Sequence, residues 1–204
     1  TKVGDDYSYT PFLTCKGNYE PEYLSDIIKD VKTDEYGNGV YEIGDELVYR
    51  GEDVNNYVQF NNQLWRIVKM DNSNENKSVG ITTDYLRTNI RKALNDYYEE
   101  NFTTDSKAKI VSKNLCIGKY VEDDEFSVDK ECSIIKENEK IGLLNASDYK
   151  NASLDSNCTN LMDNECSNYN YMADFVNINT WLLNSSSENT YKVLRLSGTL
   201  SWSN

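Results

Sequence analysis

The chain has no histidine among its 204 residues. That removes the usual general base at neutral pH, the commonest zinc-binding ring, and every Ser-His-Asp or Cys-His arrangement. Carboxylates, tyrosine, lysine and cysteine are the chemistry left. Positive charge is also scarce: 21 Lys and Arg stand against 34 Asp and Glu, a net charge of −13. Such a surface repels phosphate backbones and anionic lipid, so no nucleic acid and no membrane surface is expected as a partner. Acidity instead suits solubility, cationic partners or a divalent metal. No stretch is apolar enough for a transmembrane helix or a leader, so direct membrane insertion of this segment is not expected. A chain that is exported yet begins at Thr1 is expected to have lost its leader or anchor. There is no C-x-x-C pair, which argues against zinc. Internal repeats and low-complexity linkers are also missing.

Aromatic residues are present at 12%, more than disordered segments carry, so the chain reads as globular. Five cysteines stand at 15, 116, 132, 158 and 166. Cys116 with Cys132 and Cys158 with Cys166 each close a polar loop rich in Asp, Asn and Glu, and are read as disulfides of a secreted protein. Cys15 is left over, either free or paired with another chain.

The stretch from Asn55 to Met70 organises the reading. Two β-rich runs flank Asn61-Asn62-Gln63, and an Asn-Asn pair tolerates the left-handed backbone of a tight hairpin. The denser run Leu64–Val68 is expected to be a central strand covered on both faces, with Trp65 as its largest core contribution. Upstream, Pro21 suits a first helical turn, and Leu24, Ile27, Ile28 and Val31 share a helical face. Asn38-Gly39 and Gly44-Asp45 are turn signals around strands at Val40–Ile43 and Leu47–Tyr49. Asp34, Asn38, Gly39 and Asp45 also fall at four positions of a calcium loop, but Tyr36 and Asp45 stand where stronger ligands belong.

Further on, Val79–Thr82 reads as β-like. A helix follows, with Leu86, Ile90, Leu94, Tyr97 and Tyr98 on one face, Thr88 as a cap, and Phe102 closing it. A third helix is expected from a Thr104-Asp105 cap through Lys113, with Ala108, Ile110 and Val111 inward. Asp123, Asp124 and Glu125 are contiguous acids, and Asp155, Asp163 and Glu165 lie in or beside the second cysteine loop. Ile141–Leu144 reads as a buried strand, and Ala146–Ala152 as a turn or short helix. The last elements centre on Trp181 and on a hairpin through Ser197-Gly198. Strands arranged as hairpins around clustered helices, without βαβ alternation, make the class α+β.

Four blocks carry a resemblance: YRGEDVNNYVQFNNQLWRIV (49–68), TNIRKALNDYYEENFTTDSKAKIV (88–111), IGLLNASDY (141–149) and NTWLLNSSSENTYKVLRLSGTLSWSN (179–204). Together they resemble a family of uncharacterised secreted domains of low-GC Gram-positive bacteria. The resemblance implies a C-type-lectin-like fold, the architecture shared with formylglycine-generating enzyme. That fold is a mixed sheet of hairpins with two or three packed helices, here preceded by an N-terminal helix. The expected division is an N-terminal extension over 1–38 and the C-type-lectin-like domain over 39–204. Family members continue past the last hairpin into an Arg-Pro-Val strand. This chain stops at Asn204, so a longer chain or a partner would supply it.

The function expected from these features is an extracellular or cell-surface binding module, adhesin-like and not an enzyme. It would take a carbohydrate or protein ligand at the cell surface. Tyr169, Tyr171, Trp181, Asn184 and Trp202 are the candidate ligand contacts, since aromatic faces with amides suit stacking on sugars or peptides. The alternative is a structural subunit of a surface filament or pilus-like polymer. The Cys15 region, similar to the lead-in of anchored or pseudopilin-type surface proteins, points that way, as does self-assembly through an open sheet edge. A carboxylate-based hydrolase stands behind both. No cofactor is expected, with calcium among the acidic loops as the exception.

Overall fold

The computed structural model describes residues 24–71, 79–80, 88–120, 127–160, 163–173, 180–186, 193–197 and 199–203. Of 79–80, 88–90, 119–120, 180–181, 185–186 and all residues from 193 onward, the backbone alone is described. The readings placed on Pro21, Cys15, Leu86 and the acids 123–125 lie outside the described residues.

Helix α1 (Leu24–Asp30) turns Ile28 into the core, in the same hydrophobic cluster as Tyr49, Met70 and Tyr149. The expected N-terminal extension thus shares its packing with the domain that follows. Asp34 then makes a turn: its carboxylate accepts the Tyr36 and Asn38 N–H groups at 2.9 and 2.8 Å and the Asn38 side-chain amide at 2.9 Å. The Asn38 amide hydrogen bond is the main reason its carboxyl lies below the usual aspartate range. The residues that resembled a calcium loop are therefore used to fold the chain back.

Strands β1 (Gly39–Ile43) and β2 (Glu46–Arg50) form the expected hairpin, with Ile43 opposite Glu46. They join β5 (Lys69–Asp71) and β6 (Val79–Gly80) in an antiparallel sheet of order β1-β2-β5-β6. Strands β3 (Tyr57–Phe60) and β4 (Gln63–Arg66) make a separate two-stranded ribbon. Its turn residues Asn61 and Asn62 have φ of 52° and 58°, both left-handed, as a two-residue turn between right-twisted strands requires.

This ribbon corrects the expectation of a central strand. Leu64 is exposed and Trp65 only half buried. The deep core instead takes Ile67, Val68 and Met70, because the chain leaves the ribbon after Arg66 and enters the first sheet.

Helices α2 (Thr88–Asn101) and α3 (Thr104–Lys109) follow. α3 is capped by Thr103, whose hydroxyl accepts the Ser106 N–H, and it stops at Ile110, which is extended. It is shorter than expected, and Ala108 and Val111 face solvent while Ser106 is buried. Lys113 belongs instead to β7 (Lys113–Cys116), which pairs with β9 (Ile135–Glu139). Ile141–Leu144, expected to be a strand, does not form one; the strand is β9, just before it, in a run whose polarity concealed it. β9 stays wet on most positions and buries Glu139, which meets the Arg91 guanidinium at 2.6 Å.

Helix α4 (Val128–Glu131) leads into the Cys116–Cys132 disulfide, and Cys158–Cys166 is bridged as well. Helix α5 (Ala146–Ala152) is buried along most of its length. A second sheet of order β12-β11-β10-β8 is built from β8 (Lys119–Tyr120), β10 (Thr180–Ser186), β11 (Val193–Ser197) and β12 (Thr199–Ser203). β8 runs parallel to β10, and β11–β12 is the closing hairpin read from the sequence.

Gly51 joins these parts. Its N–H donates to Ala152 O at 3.0 Å, and its carbonyl accepts the Tyr171 N–H at 2.7 Å. A Cβ there would stand 2.2 Å from Asn38 Oδ1, and φ is +119°, so glycine alone fits. The class is α+β, with helices and mostly antiparallel pairing.

Candidate functional site: an aromatic-walled cleft with a carboxylate floor

A cleft of about 1030 Å³ is lined by the ribbon, α1, α2, the β1–β2 turn, β7, α4 and the start of α5. One wall is aromatic. Phe102, at the end of α2, has Tyr98, Trp65 and Phe60 around it, with ring centroids at 5.4, 5.9 and 6.2 Å. The Trp65 indole N–H donates to Phe60 O at 2.9 Å, which satisfies its polar atom within the ribbon. The ribbon's turn is tied to the helices: Asn61 Nδ2 donates to Asn101 O at 3.0 Å, and Asn61 Oδ1 accepts the Thr103 N–H at 3.1 Å. One amide thus serves a carbonyl at the end of α2 and the N–H at the cap of α3.

The floor is polar. Asp148, 2% exposed, accepts the Asn145 N–H at 2.8 Å and so caps the start of α5. Its other oxygen lies 3.0 Å from Lys69 Nζ, which also meets Glu46 at 2.9 Å. Burial alone would push the Lys69 ammonium down, but the Asp148 and Glu46 carboxylates outweigh it and hold it above the ordinary lysine value. Glu131, 3% exposed, accepts the Ser147 N–H at 3.1 Å and is hydrogen-bonded to the Ser147 hydroxyl. Burial pushes its carboxyl up to about 7; the Ser147 hydrogen bonds oppose this, and the nearby Asp148 charge adds to it. Below them, Asn184 Oδ1 accepts the Ala146 N–H at 2.9 Å and its Nδ2 donates to Gly118 O at 3.2 Å.

The candidate contacts read from the sequence do not converge here. Tyr169 is exposed, at 59%, and does not line the cleft. Tyr171 is in the core at 1% exposure, with the Arg66 guanidinium 4.9 Å from its ring centroid; burial pushes its phenol far up. Asn184 is wholly buried and divides its amide between the start of α5 and Gly118 O. Both residues are therefore corrected from surface contacts to internal supports: each sits on a segment that passes beneath α5. Trp181 stands opposite Arg195 and Trp202 opposite Leu194 in the second sheet. The readings placed on their side chains lie outside the described residues.

The acids of the second cysteine loop fold that loop. Asp163 accepts the Asn160 and Thr159 N–H groups at 2.6 and 2.8 Å, and Asp155 accepts the Asn168 amide at 2.8 Å and the Asn157 N–H at 2.9 Å. Among the described residues, no three acidic or thiol side chains are grouped as a cation would need. No described helix is long and apolar enough to cross a membrane.

Sequence reasoning missed Phe60, Trp65, Tyr98 and Phe102 as a wall, and Glu131 and Asp148 as a floor. The Asn145-x-x-Asp148 spacing was a helix-start signal that could have found half the floor. Nothing local marked Glu131. In comparisons with protein-family models, curated proteins and solved structures, the chain matches none.

Proposed function

We propose that this chain is an extracellular or cell-surface binding module, and that the aromatic-walled cleft holds its ligand, a carbohydrate or a segment of another protein. The observation that carries the reading is the cleft itself. Pockets that take ligands pair an apolar, aromatic lining with a few fixed polar groups, and this one sets Trp65 and Phe60 on the wall above Asp148 and Lys69. Two disulfides in a chain of this size suit an oxidising compartment. The resemblance to secreted C-type-lectin-like domains belongs to the same proposal. It draws on the α+β class, the hairpins and the closing β11–β12 pair.

The test is binding of the oxidised chain to carbohydrate and extracellular-matrix arrays, with calcium and with chelator. Specific binding that is lost in Trp65→Ala and kept in Tyr169→Ala, both folded by circular dichroism, is the expected result. Binding that ignores Trp65→Ala and Phe60→Ala, or silence on every array, overturns it. A second reading, a subunit of a surface filament, draws on β12, which stands at the end of its sheet among the described residues. Sedimentation of the chain across concentrations separates the two: a constant monomer removes the filament.

A further inference from the structure

Asn38-Gly39 is the chain's single Asn-Gly step. Asparagine is a heat-labile residue, and it is most labile before glycine, where no side chain shields the next peptide nitrogen. The fold nevertheless needs both residues. A Cβ on residue 39 would stand 2.8 Å from Thr33 Cα and 2.9 Å from Lys32 O, so only glycine fits that approach. The Asn38 carboxamide is used at both ends. Its Nδ2 donates to Asp34 Oδ2 at 2.9 Å, and its Oδ1 accepts the Asp53 N–H at 3.3 Å. The main chain on either side is held as well: the Asn38 N–H donates to Asp34 Oδ1 at 2.8 Å, and Asn38 O accepts the Asp34 N–H at 2.9 Å.

We propose that Asn38 is a fold-guarded deamidation site: Asp34 and the Asp53 N–H hold its carboxamide against rotation onto the Gly39 nitrogen, and the step turns reactive wherever that hold is lost.

The chemistry needs only water. The Gly39 nitrogen attacks Asn38 Cγ, the new C–N bond closes a five-membered succinimide, and Nδ2 leaves as ammonia with the Gly39 proton. Water then opens the ring. Attack at Cγ leaves an aspartate at position 38; attack at the main-chain carbonyl carbon leaves an isoaspartyl linkage, which adds one carbon to the backbone. Ring closure takes Nδ2 off the Asp34 carboxylate, so that charge-assisted hydrogen bond opposes it directly. Neither product rebuilds the turn. An aspartate would set a carboxylate oxygen where Nδ2 lies, 2.9 Å from Asp34 Oδ2, and the two charges repel. The isoaspartyl form lengthens the chain next to Gly39, which stands opposite Arg50 at the start of β1. The reaction is thus one-way, and it marks molecules in which this turn has opened.

The site is separate from the cleft reading, and its test needs no ligand. Trypsin releases residues 33–50 as one peptide in which Asn38 is the only amide side chain, so its mass reports this site alone. Oxidised wild type, a synthetic peptide of the same residues and Asp34→Ser are incubated together in mildly alkaline buffer. Serine keeps an oxygen for the Tyr36 and Asn38 N–H groups but has none left for the carboxamide. The expected result is deamidation about tenfold slower in the folded wild type than in the peptide, and several-fold faster in folded Asp34→Ser than in the wild type. Equal rates in wild type and peptide, or in wild type and Asp34→Ser, overturn the proposal. NMR of the wild type serves if the variant does not fold. One Asn38 carboxamide proton protected from exchange supports the guard, and a freely exchanging carboxamide overturns it. Asn38→Asp makes one product directly: a lowered urea midpoint is expected, and an unchanged midpoint overturns the one-way step.

Discussion

Lys69→Met tests the cleft floor most directly. Lys69 bridges Glu46 and Asp148 at 2.9 and 3.0 Å, and Asp148 is 2% exposed. Methionine fills most of the lysine's volume, so the main loss is charge. Removing one partner of a buried ion pair leaves the other uncompensated, at a cost of about 3–5 kcal/mol. For a domain of this length that is a fall in melting temperature of about 8–16 °C. Asp148→Asn keeps an oxygen for the Asn145 N–H but gives up a charged cap, and is expected to cost about 1–2 kcal/mol. The double variant should then lose about 2 kcal/mol less than the sum of the two single losses, since no lone charge remains inside. Urea titration of the four proteins at pH 7 measures this cycle. The wild-type lysine is raised above 10.5, so its contribution is complete below that pH and is lost as the solution becomes more alkaline. Lys69→Met should not show that alkaline loss. A cost below about 1 kcal/mol for Lys69→Met, or strict additivity in the cycle, would falsify the description of the floor as a buried pair.

Four other outcomes are expected. Glu131 binds its proton more tightly in the folded chain, about 7 against 4.5, so it contributes stability at low pH that is lost as pH rises through that window. The wild type minus Glu131→Gln difference should fall by about 3 kcal/mol between pH 4.5 and about 8 in denaturant titrations, and be flat above. Gly51→Ala should cost about 2–4 kcal/mol in the same assay, since φ is +119° and the new methyl meets Asn38. Asn62→Gly should be neutral or better by melting temperature, whereas Asn62→Val, at φ 58°, should lose about 1–2 kcal/mol. Replacing Cys116 and Cys132 by serine together should lower stability by about 3 kcal/mol, the closure entropy of a loop with 16-residue separation; no change on reduction would count against that bridge.

What could be read from the sequence was local. The β1–β2 turn, the Asn61-Asn62 hairpin, α2, the closing hairpin and both disulfides are each specified within about 20 residues, by turn chemistry, periodicity or spacing. The errors came where distant segments decide. Trp65 looks like a core residue in its own apolar run, but its burial depends on Phe102, which lies 37 positions later. Tyr171 and Asn184 look like loop contacts because their neighbours are polar; both lie inside because α5 and Arg66 cover them. β9 concealed itself because its one buried acid, Glu139, is neutralised by Arg91 from α2. Glu131 had no local mark at all, since a lone acid beside a cysteine implies nothing until Ser147 meets it.

Both bridges join cysteines close in sequence, 16 and 8 residues apart. In an unfolded chain, the chance that two thiols meet falls roughly as the three-halves power of their separation. Cys116 therefore encounters Cys132 roughly 15 times as often as it encounters Cys15, about 100 residues upstream. Oxidation during synthesis would select the native partners by proximity alone, before any tertiary contact exists. Cys15 would be left reduced by the same arithmetic, and the chain would need little help from an isomerase to sort its thiols.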